Sequence, residues 1–420
     1  MPEINLGYGR AAVPFSYDET RWQVLAPAAS NETELSDAEI GAALDAPLGS
    51  LPLEEIVNAG ESALIVVSDA TRATGSERIV NLLARRLIAS GVAPFDISII
   101  FATGIHRAVT PAEQNKLLTP FITQRLRVIN HNALDPAQHI NLGQTERGTP
   151  IELNRALLET DHVILTGAVG WHYFAGFTGG RKSVCPGLAS ARTIAATHAL
   201  AMDFTTGGRR AGVGTGLLAD NAVSEECEAI AALVKPSFLV NTHTNTQGRV
   251  TGVYAGDWRA AHTRACADYA AAHSLKITEK RPFVIVSCGG NPHDINLIQA
   301  HKALDTAAHA CAEGGTIILL AECAEGLGRA DFLKWFDAVD AREMAETLRE
   351  NYEVNGQTAW ALLTKTERFP VILVSSLPDD EVRRMQMIPA DNLEEALAQT
   401  GPSAKGYVLP RGAAILPVSY

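Results

Sequence analysis

Short apolar runs alternate with amphipathic stretches along the first half of the chain, which is the pattern of strands and helices that alternate around a parallel sheet. Three runs predict buried strands, at Ala63 to Val67, Asp96 to Phe101 and His162 to Leu165. Ligands of open α/β sheets collect at the carboxyl ends of the strands. The polar residues that follow these runs are therefore the first candidates for a functional site.

Two capping-box patterns mark helix starts after the first two strands. Thr74 and Glu77 predict a helix with apolar residues at helical spacing that closes at Gly91. Thr110 and Glu113 predict a second helix, with a proline in its first turn. Each strand is thus expected to lead through a polar loop into a helix.

The last third of the chain predicts a second α/β domain. Residues 258–274 are alanine-rich and predict a helix, and the charged stretch 276–282 ends in a proline, which favours a domain boundary here. We expect domains at 1–272 and 273–420, each with a largely parallel sheet flanked by helices. The strands predicted in the second domain are Phe283 to Val286, Thr316 to Leu320 and Val371 to Val374.

A helix after the first of these strands carries two polar side chains on one face. Asp294 is the expected N-cap of this helix. Gln299 and Lys302 are three residues apart, so their side chains share a helix face.

Composition narrows the class of protein. A chain of 420 residues favours two or three domains, and 35 basic against 47 acidic residues give a net charge of −12, which disfavours a nucleic-acid partner. No apolar window is long enough to span a membrane and the start lacks a secretory pattern, so we expect no membrane association. Six scattered cysteines without a Cys-x-x-Cys pair predict neither a disulfide scaffold nor a thiolate zinc site, which favours the cytoplasm.

Three polar residues follow the predicted strands of the first domain. The guanidinium of Arg72 can grip a carboxylate or a phosphate, although a surface arginine paired with an acid would also fit. His106 and His172 lie at the ends of two strands of one sheet, where a pair of imidazoles can exchange protons near neutral pH. Solvated loop histidines are the alternative.

The most glycine-rich segment, residues 167–182, follows the third strand. It misses the pattern of a nucleotide-binding P-loop because Arg181 separates the second glycine from Lys182. The charge of Arg181 disfavours the ammonium form of Lys182, so the amine is a candidate nucleophile or covalent anchor, with a solvated lysine as the alternative. Cys185 fits a buried core position better than a redox role.

His198 lies on a predicted helix with small neighbours. A buried histidine that is satisfied by a backbone carbonyl is one interpretation. A single metal ligand is the other, and imidazole suits nickel, zinc or copper.

Five blocks together resemble the signature of lactate racemase and its homologues. They span most of the chain in order, and the longest is the most specific. The blocks are Asp69-Ala70-Thr71-Arg72, Thr103-Gly104-Ile105-His106-Arg107, the segment from His172 to Gly187, His198, and Gly289-Gly290 followed by Gln299 and Lys302.

The resemblance implies a nickel-pincer nucleotide, a pyridinium mononucleotide that holds the metal through two sulfurs and one carbon, and proteins that make this cofactor as partners. Lys182 would bond covalently to the cofactor and His198 would be the fourth nickel ligand. The other residues that the resemblance places near the nucleotide are Asp69, Thr71, Gly179 and Gly180.

The resemblance also implies the substrate and its binding residues. His106 and His172 would be the acid/base pair for a small-molecule 2-hydroxy acid in the interdomain cleft. The residues that would hold the carboxylate and its oxygens are Arg72, Gln299 and Lys302.

The implied chemistry explains this set of residues. The α C–H of a 2-hydroxy acid is a poor acid beside a carboxylate, so hydride transfer to the cofactor replaces proton abstraction at carbon, and the protein orients the reactants. One histidine removes the hydroxyl proton, a 2-keto acid forms, and hydride returns to the other face. Ile298 and the loosely aligned positions 356–357 replace bulky residues of lactate-using members, which suggests a larger substrate such as a sugar acid, malate or an aryl lactate.

Two other functions stay open from the residues alone. A zinc hydrolase would use His106, His172 and His198 as ligands. A non-enzymatic protein would capture a small anion with Arg72 and Lys302.

Overall fold

The computed structural model describes residues 1–26, 33–400 and 405–419. Contacts within the chain divide it into two compact units. Unit 1 consists of Met1–Ser30, Met202–Ala211 and Ala272–Tyr420, and unit 2 of Asn31–Ala201 and Gly212–Ala271.

The units differ from the expected domains 1–272 and 273–420 in two segments. The chain enters unit 1 at Ala272, beside the expected boundary, but residues 1–30 and 202–211 also belong to unit 1. The strand Trp22–Val24 pairs in parallel with the strand Gly406–Leu409. Local sequence pattern carries no signal for a pairing over such a separation.

The strands are short, as expected for an α/β protein. In chain order they are β1 (Glu3–Tyr8), β2 (Ala11–Ser16), β3 (Trp22–Val24), β4 (Ala63–Ser68), β5 (Ile97–Ala102), β6 (Arg127–Asn130), β7 (His139–Gln144), β8 (Pro150–Asn154), β9 (His162–Ala168), β10 (Trp171–His172), β11 (Gly176–Phe177), β12 (Met202–Asp203), β13 (Gly208–Arg209), β14 (Phe238–Thr244), β15 (Val250–Gly256), β16 (Ser274–Ile277), β17 (Arg281–Ser287), β18 (Cys311–Leu320), β19 (Val371–Val374), β20 (Ile388–Ala390), β21 (Gly406–Leu409) and β22 (Leu416–Ser419).

The α-helices flank these strands, and short 3₁₀ turns connect several of them. None of the helices in the described ranges combines the length and apolar character that crossing a membrane requires. The helices are α1 (Asp37–Asp45), α2 (Leu53–Ile56), α3 (Ser76–Ala89), α4 (Pro111–Thr123), α5 (Ala191–Ala199), α6 (Ala222–Val234), α7 (Trp258–His273), α8 (Leu297–Ala310), α9 (Ala341–Glu350), α10 (Val354–Thr366), α11 (Asp379–Arg384) and α12 (Leu393–Ala398).

Unit 2 contains a sheet of strand order β15-β14-β9-β4-β5-β6. All neighbours pair in parallel except β14 and β15, which are antiparallel. The central strand β4 buries Ala63 to Val67 completely, because helices cover both faces of a parallel sheet. The predicted strands β4, β5 and β9 are confirmed, and their carboxyl ends lie side by side at one edge.

Unit 1 contains the second sheet, of order β20-β19-β18-β17-β21-β3, in which all neighbours are parallel. Strands β17, β18 and β19 confirm the three predicted strands and fill the centre of this core. The fold class predicted from the apolar pattern, two largely parallel sheets flanked by helices, is confirmed.

The two predicted capping boxes have different outcomes. Thr110 caps α4 reciprocally with Glu113, as expected. The Thr74–Glu77 box is wrong, because α3 starts after Gly75, whose left-handed φ of 67° places the cap one residue later. The Thr74 hydroxyl instead lies 2.6 Å from the Ser76 hydroxyl.

The predicted cap at Asp294 is also wrong. The N-cap of α8 is Asn296, whose side chain accepts a hydrogen bond from the Gln299 backbone. Asp294 is fully buried, and its carboxylate accepts from the backbone N–H groups of Gly9 and Glu322. These partners are distant in sequence, so spacing along the helix could not indicate them.

Candidate active site

The loop after β4 builds a carboxylate into the edge of the unit 2 sheet. Asp69 is only 5% exposed, and one of its oxygens accepts hydrogen bonds from the backbone N–H of Thr71 at 2.9 Å and from its hydroxyl at 2.5 Å. The Arg72 N–H donates to the Asp69 carbonyl at 3.2 Å. The turn therefore holds the carboxylate rigidly and places Arg72 directly beside it in the chain.

Asp69 contacts His106, a pairing that the sequence did not indicate. The second oxygen of Asp69 lies 2.6 Å from Nδ1 of His106. A carboxylate only accepts, so Nδ1 donates, and Nε2 of the neutral ring is left as a proton acceptor. Burial raises the pKa of Asp69, but the hydrogen bonds from His106 and Thr71 outweigh burial and hold it below its usual value.

The loop after β5 presents His106 to its surroundings. The His106 N–H closes a turn on the Thr103 carbonyl, and the Gly104 N–H donates to the carbonyl of Gly187 at 2.9 Å. The His106 side chain is 49% exposed. The imidazole is thus anchored at Nδ1 and accessible from its other edge.

The glycine-rich segment after β9 forms the hairpin β10–β11 and then a 3₁₀ turn over Gly180–Ser183. Asn241 of β14 holds both ends of the segment, accepting from the Gly180 N–H and donating to the Gly167 carbonyl, each at 3.1 Å. His262 of α7 also contacts this segment, with its Nε2 atom 3.1 Å from the Thr178 carbonyl oxygen. No sequence pattern indicated Asn241 or His262 as supports of this segment, because both come from elements far along the chain.

This support places the Lys182 amine 3.0 Å from Nε2 of His172. Burial, against an opposing effect of Cys227 and with smaller contributions from the charges of Arg181 and Arg72, lowers the pKa of Lys182 to about 7. The predicted influence of Arg181 is therefore present, but burial is the larger cause. Arg181 itself is 2% exposed and donates to the carbonyls of Ala175 and Ser224.

The backbone selects the tautomer of His172. The Ala175 N–H donates to Nδ1 of this ring at 3.2 Å, so a neutral His172 carries its proton on Nε2. Nε2–H then donates to the Lys182 amine, which can accept only as the free base. The contact and the lowered pKa of Lys182 support the same description, a neutral amine at this position.

Phe174 joins the members of this group. Its ring centroid lies 4.4 Å from that of His172 and 5.0 Å from that of His198, and the Lys182 amine lies 5.6 Å from the same centroid. The ring lies within the motif block, but no sequence signal distinguishes it from the other apolar residues of that block. We call His172, Phe174, Lys182 and His198 the lysine cluster.

His198 enters the lysine cluster from α5. It is 9% exposed, and burial lowers its pKa to about 3, with Lys182 as the second cause. The ring is therefore neutral across the physiological range, which is the form that binds a metal ion.

The structure brings the predicted residues of unit 2 together at one sheet edge, where they form two groups. One group contains Asp69, Thr71 and His106, and the other is the lysine cluster. Gln299 and Lys302 lie in unit 1 on α8, where the Lys302 amine donates to the Gln299 amide oxygen at 2.6 Å, which confirms their shared face. Cys185 is fully buried, as expected for a core cysteine.

The zinc alternative needs three clustered ligands. Across the described parts of the chain, no three side chains of the His, Cys, Asp or Glu type are grouped so that they could hold a metal ion. His106 and His172 instead engage Asp69 and Lys182, so the hydrolase lacks its ligand set.

Comparison with known proteins identifies the class to which this fold and site belong. Residues 8–207 match the lactate racemase N-terminal domain and residues 278–416 the lactate racemase C-terminal domain. The chain is 32% identical to a lactate racemase of Lactiplantibacillus plantarum, over 99% of this chain and 100% of that protein. It is 27% identical to a lactate racemase of Thermoanaerobacterium thermosaccharolyticum, over 99% of both.

Solved structures are similar to this chain over nearly its whole length. The lactate racemase apoprotein of T. thermosaccharolyticum superposes with a TM-score of 0.91 at 26% identity and covers 99% of this chain and 100% of its own. A Thermotoga maritima protein shares the fold, with a TM-score of 0.69 at 20% identity over 92% of this chain and 99% of its own.

The chain is an α/β isomerase of the racemase class, as predicted. It belongs to the lactate racemase family.

Proposed function

We propose that this protein inverts the C2 centre of a 2-hydroxy acid, with a nickel-pincer nucleotide attached at Lys182 and with His106 and His172 as the acid/base pair. The observation that carries the proposal is the lysine cluster. A neutral buried amine, a neutral buried imidazole and a second histidine surround one aromatic ring.

The donor set fits this cofactor. The free amine of Lys182 could condense with a thiocarboxyl carbon of the cofactor and release water, and the neutral imidazole of His198 can serve as a single metal ligand. Gly179 and Gly180 adopt φ values of 77° and 51°, and a Cβ on either residue would meet Asn241 or His262, so these glycines allow the tight turn that carries Lys182. The nickel-pincer nucleotide, when bound, would accept a hydride from C2 and return it.

The protein residues manage the protons. Nε2 of His106 can take the hydroxyl proton while C2 is oxidised to the ketone, and the Asp69 carboxylate stabilises the resulting imidazolium. When hydride returns to the opposite face, the product oxygen takes a proton from the other histidine, which must enter this step as imidazolium and leaves it neutral. One proton leaves and one arrives, so the reaction balances in both directions.

Cofactor attachment would also prepare His172. An acylated Lys182 nitrogen no longer offers its lone pair, so the hydrogen bond from Nε2 of His172 would be lost. The imidazole edge would then be released for the substrate. The covalent anchor and the acid/base group are thus coupled through one contact.

The remaining site residues keep their predicted roles in this proposal. Arg72 would grip the substrate carboxylate near Lys182, and Gln299 and Lys302 would bind its oxygens. Asp69 and Thr71 were assigned to the nucleotide by resemblance, and their contacts add a role in orienting His106. Ile298 occupies a position that resembles an aromatic site in lactate-using members of the family. The smaller side chain here supports a substrate larger than lactate.

The test is racemisation by protein produced together with the cofactor-making proteins. We expect interconversion of the enantiomers of a chiral 2-hydroxy acid, a covalent mass addition that maps to Lys182, bound nickel, and no solvent deuterium at C2. The His106→Ala variant should keep the adduct and lose inversion, while His273→Ala should resemble the unaltered protein.

Other outcomes would contradict the proposal. A protein that carried neither the adduct nor nickel would exclude the cofactor from the mechanism. Normal racemisation by His106→Ala would exclude this histidine. Tight carboxylate binding by adduct-bearing protein without turnover would favour the non-enzymatic alternative.

A further inference from the structure

A buried histidine of unit 2 lies between two parts of the candidate site, and none of the roles assigned above uses it. His131 is 1% exposed and directly follows β6, the strand that pairs with β5. It contacts residues 103–107, which we call the His106 loop, and residues 182–189, which we call the anchor segment.

The backbone of His131 holds the His106 loop. The Thr103 hydroxyl donates to the His131 carbonyl at 2.9 Å, and Thr103 is 2% exposed. The His131 N–H donates to the Phe101 carbonyl at 3.4 Å, directly before this loop. Since the Thr103 carbonyl accepts from the His106 N–H, these contacts fix the base of the turn that carries His106.

The ring of His131 holds the anchor segment. Nε2 of His131 lies 3.0 Å from the carbonyl oxygen of Ala189, and a carbonyl only accepts, so Nε2 donates. The amide nitrogen of Asn154, which only donates, lies 3.1 Å from Nδ1 of His131. The orientation of this amide is set, because its oxygen accepts from the Ala156 N–H at 3.1 Å. Both contacts therefore assign the proton of the neutral ring to Nε2.

Burial keeps this ring neutral. It lowers the pKa of His131 to about 4, against an opposing effect of the bond to Ala189 and with a smaller contribution from His139. A neutral ring donates at Nε2 and accepts at Nδ1 at the same time, whereas an imidazolium could not accept from Asn154. His131 is thus suited to a permanent contact and not to proton exchange near pH 7.

The backbone connects Ala189 to Lys182 tightly. The Gly187 N–H donates to the Lys182 carbonyl at 3.0 Å. A Cβ on Gly187 would lie 2.5 Å from the carbonyl oxygen of Ser183 and 2.9 Å from the Ala102 Cβ, so the turn leaves no room for a side chain. A displacement of Ala189 would therefore move the turn that carries the Lys182 amine.

We propose that His131 is a positioning residue that fixes the anchor segment against the His106 loop. This inference rests on the proposed function, which assigns the cofactor anchor to Lys182 and acid/base catalysis to His106. The His131 carbonyl holds one part and its ring holds the other. A displacement of about 1 Å between reacting groups can cost roughly 10²-fold in rate, so such a link matters even without contact between His131 and the substrate.

His131→Leu tests the ring contact in the full chain without cofactor, with acetic anhydride as the amine reagent. In the unaltered protein, acylation of Lys182 should reach half its maximal rate near pH 7, because the amine is buried. The variant should raise this midpoint by about one pH unit or more, since a loosened anchor segment lets water reach the amine. His131→Gln keeps a donor near the position of Nε2 and should hold the midpoint within about half a unit.

His162→Leu is the matched control, because His162 lies in the same sheet at the amino end of β9 and contacts Glu61 through Nε2. It should lower the free energy of unfolding in urea and leave the Lys182 midpoint near pH 7. Asn154→Ala removes the donor to Nδ1 and keeps the ring of His131, so it should raise the midpoint by a smaller amount. This second variant preserves the test if His131→Leu does not fold.

Cofactor-loaded protein tests the contact with the His106 loop, with lactate and malate as probe substrates. Thr103→Val removes the hydroxyl that donates to His131. It should lower kcat about 3- to 10-fold and change KM less than about twofold, with the mass of the adduct unchanged.

The outcomes separate this inference from the proposed function. A raised midpoint in His131→Leu, with no turnover by the loaded unaltered protein, would contradict the proposed function and support the positioning role. A midpoint that stays near pH 7 in both His131→Leu and Asn154→Ala, or an equal rise in His162→Leu, would overturn the inference. Unaltered kcat in Thr103→Val would overturn the link to the His106 loop.

Discussion

At the scale of single residues, the chemistry of the candidate site depends on which ring nitrogen of each histidine carries the proton. The backbone N–H of Ala175 fixes the proton of neutral His172 on Nε2, and Asp69 fixes that of His106 on Nδ1. The neutral rings thus present a donor edge in one case and an acceptor edge in the other. Neutral His106 can therefore accept a proton directly, whereas His172 can act as an acid only after a second proton has made it an imidazolium.

The lowered pKa of Lys182 predicts its reactivity. With a pKa of about 7 against an ordinary 10.5, the free amine dominates above pH 7 in the folded protein. Acylation of Lys182 by a small amine-reactive reagent should therefore rise with pH and reach half its maximal rate near pH 7. Peptide mapping across pH 5 to 10 measures it, with the exposed Lys116 as the internal control. A midpoint at the ordinary value would show that burial does not neutralise the amine.

The contact between Asp69 and His106 predicts a defect in catalysis without loss of cofactor. Asp69→Asn should lower kcat by roughly 10²- to 10⁴-fold, because the amide cannot stabilise the imidazolium. Nickel content and the mass of the adduct should stay unchanged. Asp161→Asn, which alters an exposed carboxylate bonded to Ser62, serves as the control. Loss of the adduct from Asp69→Asn would contradict this separation, because it would show that cofactor attachment itself depends on Asp69.

At the scale of elements, three loops at neighbouring strand ends carry the site, and helices behind them fix the loops. Gly180 faces the ring of His262 so closely that a Cβ would lie 2.5 Å from Cγ of His262. His262 is buried and bonded to the Thr178 carbonyl, so the ring has little room to move. The glycine is required by this contact as well as by its positive φ.

Substitution of this glycine tests the contact. Gly148→Ala, at φ +81° with open space around it, should cost only the left-handed conformation, about 1 kcal/mol. Gly180→Ala should cost about 1 to 3 kcal/mol more through overpacking and should reduce cofactor attachment. Urea unfolding and intact mass measure the two effects. Equal destabilisation of both variants would mean that His262 yields without cost.

The capping boxes show how far local pattern extends at this scale. Thr110 and Glu113 cap α4 because a proline with suitable φ follows the threonine. Thr74 fails because the next residue is a glycine that turns left-handed, packed where a Cβ would lie 2.1 Å from Val250. A tertiary contact thus decides where α3 begins.

At the scale of the whole molecule, unit 1 is assembled from three segments of the chain. The short segment 202–211 is attached by buried polar contacts, since Arg209 and Lys365 pair with Asp305 at 2.7 and 2.6 Å. Trp360 donates to the Gly207 carbonyl at 2.8 Å. Burial raises the pKa of Asp305, but the two cations hold it well below its usual range.

Removal of this carboxylate should destabilise unit 1. Asp305→Asn leaves two cations near a neutral amide, and a buried pair broken on one side costs about 3 to 5 kcal/mol. Because the pKa is depressed in the fold, the stabilisation exists above the unfolded pKa and is lost as pH falls. Urea unfolding followed by tryptophan fluorescence at pH 7 and at about pH 3, below the pKa of the carboxyl in the unfolded chain, measures both points. Asp379→Asn, in an exposed pair with Arg383, should change stability by less than about 0.5 kcal/mol. A similar small change for Asp305→Asn would contradict the anchoring role.

Sequence alone predicted six strands, which lie in the two large, mostly parallel sheets, and several of the helices that follow them, because apolar periodicity and strand-end position are local properties. It indicated Lys182, His198, His106 and His172 as candidate site residues, and it predicted that Cys185 is buried. Only the tertiary structure decided the partners, namely Asp69 for His106, Phe174 within the lysine cluster, and His262 beneath Gly180. It also decided which segments form unit 1. These contacts join segments that are distant along the chain. Neither the spacing nor the type of the residues indicates which distant segments will pack together in the fold.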